Sequence, residues 1–246
     1  MQITQILERV QQLANINQNL KIEHIPHLDQ GQETIYNLQN KDYSFLEILL
    51  KTADIRLILL HYLNDQWHKT IPLSDPNYIL RSYSARNNQV AAPMHIDSFI
   101  PYQGELAISM QVAIILEDQN AENGCTMIIP GSHQSGEYVT QDQAASALPV
   151  ESAAGDVIVW DSRVWHGTLK NNSGISRWSL IATFVRWWVK QGYRITANLP
   201  QSIYQQLTDN EKAILGFCSQ PLDDEMAGID FKQGYDQLKA NVTDYC

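Results

Sequence analysis

Cysteine is scarce in this chain: Cys125, Cys218 and Cys246 are the only three, with no CxxC pair and no even framework of close spacings. That argues against structural disulfides and a thiolate zinc site and for a reducing compartment. Also missing is any stretch near the roughly 18 uninterrupted apolar residues of a membrane span, and the opening segment MQITQILERVQQLANINQNL holds no basic region followed by an apolar one. Positive charge is short as well, 17 basic against 27 acidic residues, and a net charge of −10 would repel a phosphate backbone or an anionic membrane. Repeats, linkers and low-complexity tracts are lacking. The expectation is a soluble, cytoplasmic protein, monomer or homodimer. Its partner would be a small molecule, with no nucleic acid and no membrane.

What is present suffices for a buried core, since apolar residues make up 44% and charged ones 18%. A length of 246 residues is within reach of a single domain built as a barrel or sandwich. Ile3, Ile6, Leu7, Val10 and Leu13 fall on one stripe at helical spacing. Residues 43–63 also read as helix, and 64–78, with Pro72, Asp75 and Pro76, as a loop. From Tyr78 the pattern changes to short runs rich in β-branched and aromatic residues: YILRSYS, LAISMQVAIIL, CTMIIP, GDVIVW and RWSLIATFVRWW. Such strands without helices between them predict an antiparallel sandwich or barrel. After Gly192, QSIYQQLTDNEKAILGF reads as helix, with Thr208 and Glu211 spaced as a capping box. The predicted architecture is mainly β with flanking helices: one domain over 1–246, with a β core at about 78–190 and a helical scaffold at 1–77 and 198–246.

The chemistry begins at PMHIDSF. His95 and Asp97 are two residues apart, so on an extended backbone both side chains point to one face and can chelate one ion. His166 follows 69 residues after Asp97 in GDVIVWDSRVWHGT. Two histidines and a carboxylate make a facial triad that leaves three positions of an octahedral ion open, and iron(II) fits this donor set. An HxD tripeptide occurs often by chance, so the context must carry weight. Arg177 lies 11 residues after His166, and Ser179 two beyond it, which puts guanidinium and hydroxyl on one face of a strand. A planar fork of this kind suits a bidentate carboxylate clamp. Arg186 and Arg194 read instead as surface or ion-pair residues.

In order, HID, ENGCTMIIPGSH at 122–133, GD at 155–156, WHGT at 165–168, NNS at 171–173 and RWS at 177–179 resemble the phytanoyl-CoA dioxygenase family over about residues 78–190. The resemblance implies a double-stranded β-helix, a cupin-like jelly roll, holding Fe(II) by His95, Asp97 and His166. It implies 2-oxoglutarate as co-substrate with O2. Its distal carboxylate would lie on Arg177, helped by Ser179 or Thr168. Ascorbate is expected to help. The implied activity is a dioxygenase oxidising an unactivated C–H bond of a small metabolite or natural-product intermediate, with release of succinate and CO2. No basic cluster for a CoA phosphate is evident in the sequence.

Arg81, Tyr83 and Gln111 lie on predicted strands that contribute cavity-facing side chains in the family, so Arg81 and Gln111 are further candidates for the co-substrate site. Trp187 and Trp188 would point to opposite faces of a strand, one at most into the cavity. His133 reads as structural. Gly124 and Gly131 read as turn formers, and Asn123 as a local backbone partner. His24, His27, His61 and His68 fall outside ligand spacing, with surface or capping roles expected. Two other readings stay open: a cupin-like metal enzyme without 2-oxoglutarate, which would not need Arg177, and a non-catalytic metal-bound binding protein. Radical halogenases of this superfamily carry a small residue where the triad has its carboxylate. An aspartate at 97 therefore predicts oxygenation, desaturation or ring closure rather than halogen transfer.

Overall fold

A computed structural model describes residues 2–19, 32–98, 100–229 and 236 of the chain. The expectations for His24 and His27 lie outside the described residues. The stripe read from the N-terminus forms α1 (Ile3–Asn19), with Ile6 and Val10 fully buried and the polar positions between them exposed. The next stretch adds a strand to the mostly helical scaffold expected over 1–77, because β1 (Gln32–Tyr36) pairs antiparallel with the end of β2 (Ile79–Asn88), Ile35 opposite Ala85. QETIY is five residues long and its partner lies some fifty residues away, so no local periodicity announces it.

The 43–63 segment is likewise two helices, α2 (Tyr43–Leu50) and α3 (Ala53–Leu63). The break has a local cause. Thr52 turns its hydroxyl back onto the Ile48 carbonyl at 2.6 Å and takes an extended backbone as the cap of α3. α2 itself starts at a capping Asp42, whose carboxylate accepts the Ser44 amide at 2.8 Å.

Seven further strands follow: β3 (Ala92–His95), β4 (Ser109–Ile115), β5 (Thr126–Ile128), β6 (Leu148–Val150), β7 (Val157–Asp161), β8 (His166–Thr168) and β9 (Ser179–Val185), with a short α4 (Gln141–Ala144) between β5 and β6. Two sheets result, one ordered β1-β2-β9-β4-β7 and the other β3-β8-β5-β6. From β2 onward the chain alternates between them except at the β5–β6 hairpin, as a double-stranded β-helix requires. β4, inside the larger sheet, is buried at all seven positions, which explains its continuous apolar run.

By its contacts the chain forms two compact units. The first holds α1, β1, the 83–106 stretch and 111–182, hence the whole smaller sheet. The second holds 39–82, 107–110 and the chain from Thr183 onward. Its core includes Phe45, Leu46 and Leu49 of α2 and Leu59 and Leu63 of α3, together with Tyr78 edge-on to Phe184 at 5.6 Å. Late in this unit, the helix expected from QSIYQQLTDNEKAILGF is divided into α6 (Gln201–Tyr204) and α7 (Asp209–Ile214), following α5 (Ile195–Asn198) and preceding α8 (Glu225–Ile229). The division lies at the capping box, where Thr208 and Glu211 satisfy each other's amides as read from their spacing. Glu211 also accepts the Tyr43 hydroxyl at 3.0 Å, tying α7 to α2. Among the described residues no helix is long and apolar enough to cross a membrane.

Phe184 is fully buried, so truncating it removes both the transfer energy and the ring pair with Tyr78. Phe184→Ala should lower stability by about 3–5 kcal/mol. The measurement is the urea midpoint followed by circular dichroism, and an unchanged midpoint would contradict this packing.

Candidate metal centre

His95 is the last residue of β3 and His166 the first of β8, and the two strands pair antiparallel with these histidines directly opposite. Their rings lie 4.3 Å apart by centroid. The register shifts between the Ala92 and His95 pairs, and Gly167 is what permits the strands to come so close. A Cβ at Gly167 would sit 2.7 Å from the Ala92 carbonyl oxygen and 3.1 Å from the Met94 sulfur.

Asp97 leaves β3 in a bend, and its position is set by the main chain: the amides of Asp97 and Ser98 both donate to the Ser162 carbonyl, at 2.8 and 3.2 Å. Its carboxylate then meets both imidazoles, Oδ2 at 3.2 Å from His166 Nε2 and Oδ1 at 3.7 Å from His95 Nε2. Each ring has its Nδ1 on a carbonyl two residues back, His95 on Pro93 at 2.8 Å and His166 on Val164 at 2.9 Å. A carbonyl only accepts, so the proton belongs on Nδ1 and the Nε2 lone pair is left for a metal. One donor atom from each of the three residues lies within 4.8 Å of the others. Burial, with His166 beside it, pushes the His95 pKa down, which keeps the ring a neutral donor. Burial alone would raise Asp97. Its neighbours His166, His95 and Arg86 outweigh it and hold the carboxyl below its usual range. Two neutral imidazoles and a carboxylate at these distances fit an octahedral divalent ion with open positions.

Arg177 lies just before β9 rather than on it and is 4% exposed. Its amide donates to the Asn87 side chain at 3.0 Å and its Nε to the Asn88 carbonyl at 3.0 Å. Nη2 is buried without any hydrogen-bond partner. Among the described residues no carboxylate pairs with this guanidinium, and desolvation lowers its pKa. Gly124, at φ +93°, makes room for it, since a Cβ there would stand 3.2 Å from Arg177 Nε and 2.7 Å from the Leu169 carbonyl. Gly124 therefore does more than the turn expected of it, whereas Gly131, at φ +79°, faces open space. Arg186 is the contrast. It too is buried, but its guanidinium is consumed by the carbonyls of Ala107, Tyr62 and Asn64 and by Asp65 at 3.9 Å.

The other candidates sort by their contacts. Thr168 accepts the Ala92 amide at 3.0 Å and so helps join β3 to β8. Ser179 is buried at the start of β9. Gln111 is buried and donates to the Ser162 hydroxyl at 3.2 Å, bracing the residue whose carbonyl holds Asp97. Tyr83 is buried, and burial raises its pKa so that it stays a neutral phenol. Arg81 belongs to the second unit, packed against Gly192. Trp187 and Trp188 lie past the end of β9, so the strand-face argument does not apply to them. Of the surface or capping role expected of it, His68 takes the second: it is 7% exposed and accepts the Ile71 amide on Nδ1 at 3.3 Å. Asn123 bonds locally as expected, accepting the Asn120 amide and donating to the Asp118 carbonyl. His133 is not part of the metal-ligating group.

Two features escaped the sequence reading. Arg163 forms a bidentate pair with Asp161, at 3.0 and 2.8 Å, while its Nη1 reaches the Gly104 carbonyl at 2.8 Å and its plane covers the Tyr102 ring at 4.2 Å. It thereby staples the chain after Asp97 to the β7–β8 turn. Trp160 stands edge-on to His166 at 5.4 Å, with its indole N–H buried and unpartnered. Neither sits in a motif, and the D-x-R spacing of Asp161 and Arg163 was the one available signal.

The sequence profile of the phytanoyl-CoA dioxygenase (PhyH) family matches residues 3–179. Among curated relatives, the uncharacterised protein Mb1539 of Mycobacterium bovis is 30% identical over 112 residues, 45% of this chain and 41% of that protein, so the chain spans well under half of that relative's length. Among solved structures, HygX of Streptomyces hygroscopicus with nickel and 2-oxoglutarate bound is 13% identical, with a TM-score of 0.56 over 77% of this chain and 79% of that one. The epimerase SnoN, in complex with Fe3+, alpha ketoglutarate and nogalamycin RO, is 17% identical, with a TM-score of 0.54 over 81% of each chain. At these identities the two structures establish the shared fold.

The close approach at Gly167 generates a prediction. Gly167→Ala should push β3 off β8 and weaken cobalt(II) binding by about tenfold or more, whereas Gly228→Ala in α8, which meets nothing within 4 Å and needs no positive φ, should leave it within about twofold. Titration of the cobalt absorption band measures both. Equal affinities in the two variants would dissociate the site from this strand pair.

Proposed function

Because the chain belongs to the phytanoyl-CoA dioxygenase family, we propose that it is an iron(II)- and 2-oxoglutarate-dependent oxygenase. Its metal ligands in this reading are His95, Asp97 and His166. The observation that carries the co-substrate is the Arg177 guanidinium, buried with one nitrogen unpartnered and without a carboxylate beside it. A buried cation of this kind is costly unless an anion arrives to pair with it. A Cβ at Gly124 would meet both Arg177 Nε and the carbonyl of Leu169, which is three residues along the chain from His166, or about 10 Å at strand rise. A dicarboxylate held at the metal by one end would meet Arg177 with the other.

When bound, iron and 2-oxoglutarate supply with dioxygen the oxidising power to break an unactivated C–H bond, and succinate and CO2 are released. The chain's residues do the rest. The two Nδ1–H···O=C bonds keep both Nε2 atoms aimed at the ion, and the Ser162 carbonyl fixes Asp97 between them. Arg177 orients the co-substrate through a charge-assisted fork, with Ser179 and the Thr168 hydroxyl in supporting positions. Gln111 acts through Ser162 as a positioning residue. The partially exposed His95 and Asp97 mark the open side through which a small-molecule substrate enters. A small metabolite or natural-product intermediate is the favoured substrate class. The metal, 2-oxoglutarate and nogalamycin RO carried by HygX and SnoN support the reading.

The test is succinate release from 2-oxoglutarate by the iron-loaded protein with ascorbate, combined with a mass-spectrometric screen of small metabolites for added oxygen. Arg177→Ala should raise the apparent KM for 2-oxoglutarate by about a hundredfold with iron binding retained, the scale of a lost buried charge pair. Arg186→Ala should instead lower the melting temperature and leave that KM within about twofold. The reverse pattern would sink the assignment.

With Asp97 filling the carboxylate position, turnover in high chloride or bromide should give oxygenated or dehydrogenated product alone. A halogen isotope pattern in the product mass spectrum would remove Asp97 from the ligand set.

A further inference from the structure

We propose that the second unit carries a separate binding site for a planar aromatic anion, in a cavity of about 840 Å³ walled by Trp67, Trp187, Trp188 and Tyr193. A volume of this size is typical of small-molecule sites. None of His95, Asp97, His166 or Arg177 lines it, and the proposal does not depend on the reading of the metal centre.

The walls favour a flat aromatic guest. Trp67, Trp188 and Tyr193 are 68%, 48% and 56% exposed, a concentration of open aromatic surface on one concavity. Trp187 is held in place edge-on to the buried His68 ring at 4.9 Å, and His68 is itself fixed by accepting the Ile71 amide on Nδ1 at 3.3 Å.

The charge favours an anion. Lys69, Lys190 and Arg194 line the cavity, while among the described residues no aspartate or glutamate does, in a chain whose net charge is −10. None of the three cations forms an ion pair with a described residue. Lys69 stands over the Trp67 ring at 5.3 Å, which keeps its ammonium at the aromatic wall. The Cys218 thiol also borders the cavity, and burial pushes its pKa up to about 12, so it adds no negative charge.

The hydrogen-bonding groups ask for acceptors. Among the described residues, Thr70 Oγ1, Ser219 Oγ and Trp187 Nε1 find no partner though buried, and all three residues line the cavity. Thr70 as a whole is 4% exposed. Buried donors without partners are rare in native proteins, and all three of these groups can donate to the oxygens of a bound acid.

The probe is 2-naphthoate, titrated into the full chain by isothermal calorimetry. One equivalent should bind, and 2-naphthamide, which lacks the charge, and cyclohexanecarboxylate, which lacks the ring, should each bind about tenfold more weakly or worse. The pair Lys190→Glu and Arg194→Glu, both exposed side chains, should weaken 2-naphthoate by at least about tenfold with the circular dichroism spectrum unchanged. Arg177→Ala and His166→Ala should bind it as the wild type does. A parallel titration with 2-naphthyl phosphate names the acid group as whichever anion is held more tightly. No binding, equal binding of the amide, indifference to the double charge reversal, or loss of binding in Arg177→Ala would each overturn the proposal.

Discussion

The pairing of β3 with β8 is the contact from which the metal centre follows. It sets His95 opposite His166 across two adjacent strands, and it is possible only because position 167 has no side chain to meet the Ala92 carbonyl. Once the strands are in register, the remaining donor needs only a turn that brings the chain back past His166. The Ser162 carbonyl supplies it by capturing two successive amides, and the Arg163–Asp161 pair clamps the far end of the same loop. Nearly every restraint on the three donors is a backbone hydrogen bond, which is why rings and carboxylate are oriented before any ion arrives.

Arg177 and Arg186 show how the same side chain, nine residues apart, is put to opposite uses. Arg186 is buried with its donors distributed among three carbonyls and an aspartate, and it holds the second unit together. Arg177 is buried as deeply with one nitrogen left over. A desolvated cation in that condition is destabilising, and it persists because Asn87, Asn88 and the glycine at 124 fix it from the other sides. Local incompleteness within a well-packed fold is where ligands are expected, and the unpartnered indole of Trp160 beside His166 belongs to the same pattern.

The alternation of the chain between two sheets accounts for the spacing of the motifs. The histidine of HxD ends one strand of the smaller sheet and WHG opens its neighbour, yet the β5–β6 hairpin and two strands of the larger sheet, β4 and β7, intervene in sequence. The ENGCTMIIPGSH stretch lies beside the second of these motifs, as β5 pairs with β8 and the Ser132 hydroxyl receives the Trp165 amide at 2.8 Å. Its role is to hold β8, and His133 lies outside the metal-ligating group.

The sequence by itself determined whatever depends on local periodicity and short-range capping. The α1 stripe, most of the strands, the Thr208–Glu211 box and the HxD pair all rest on relations spanning a few residues, or on an ordered set of such relations. Tertiary structure alone decided what depends on distant segments meeting. β1 is a strand because Ala85 and its neighbours lie alongside it, and Gly167 matters because Ala92 stands opposite. The sequence shows no basic cluster, yet Lys69 lines one cavity with Lys190 and Arg194, more than a hundred residues further on. Side-chain burial, too, is a property of the surroundings: a histidine at 68 or an arginine at 177 has the same pattern around it whether it faces water or the core, and only packing removes the water.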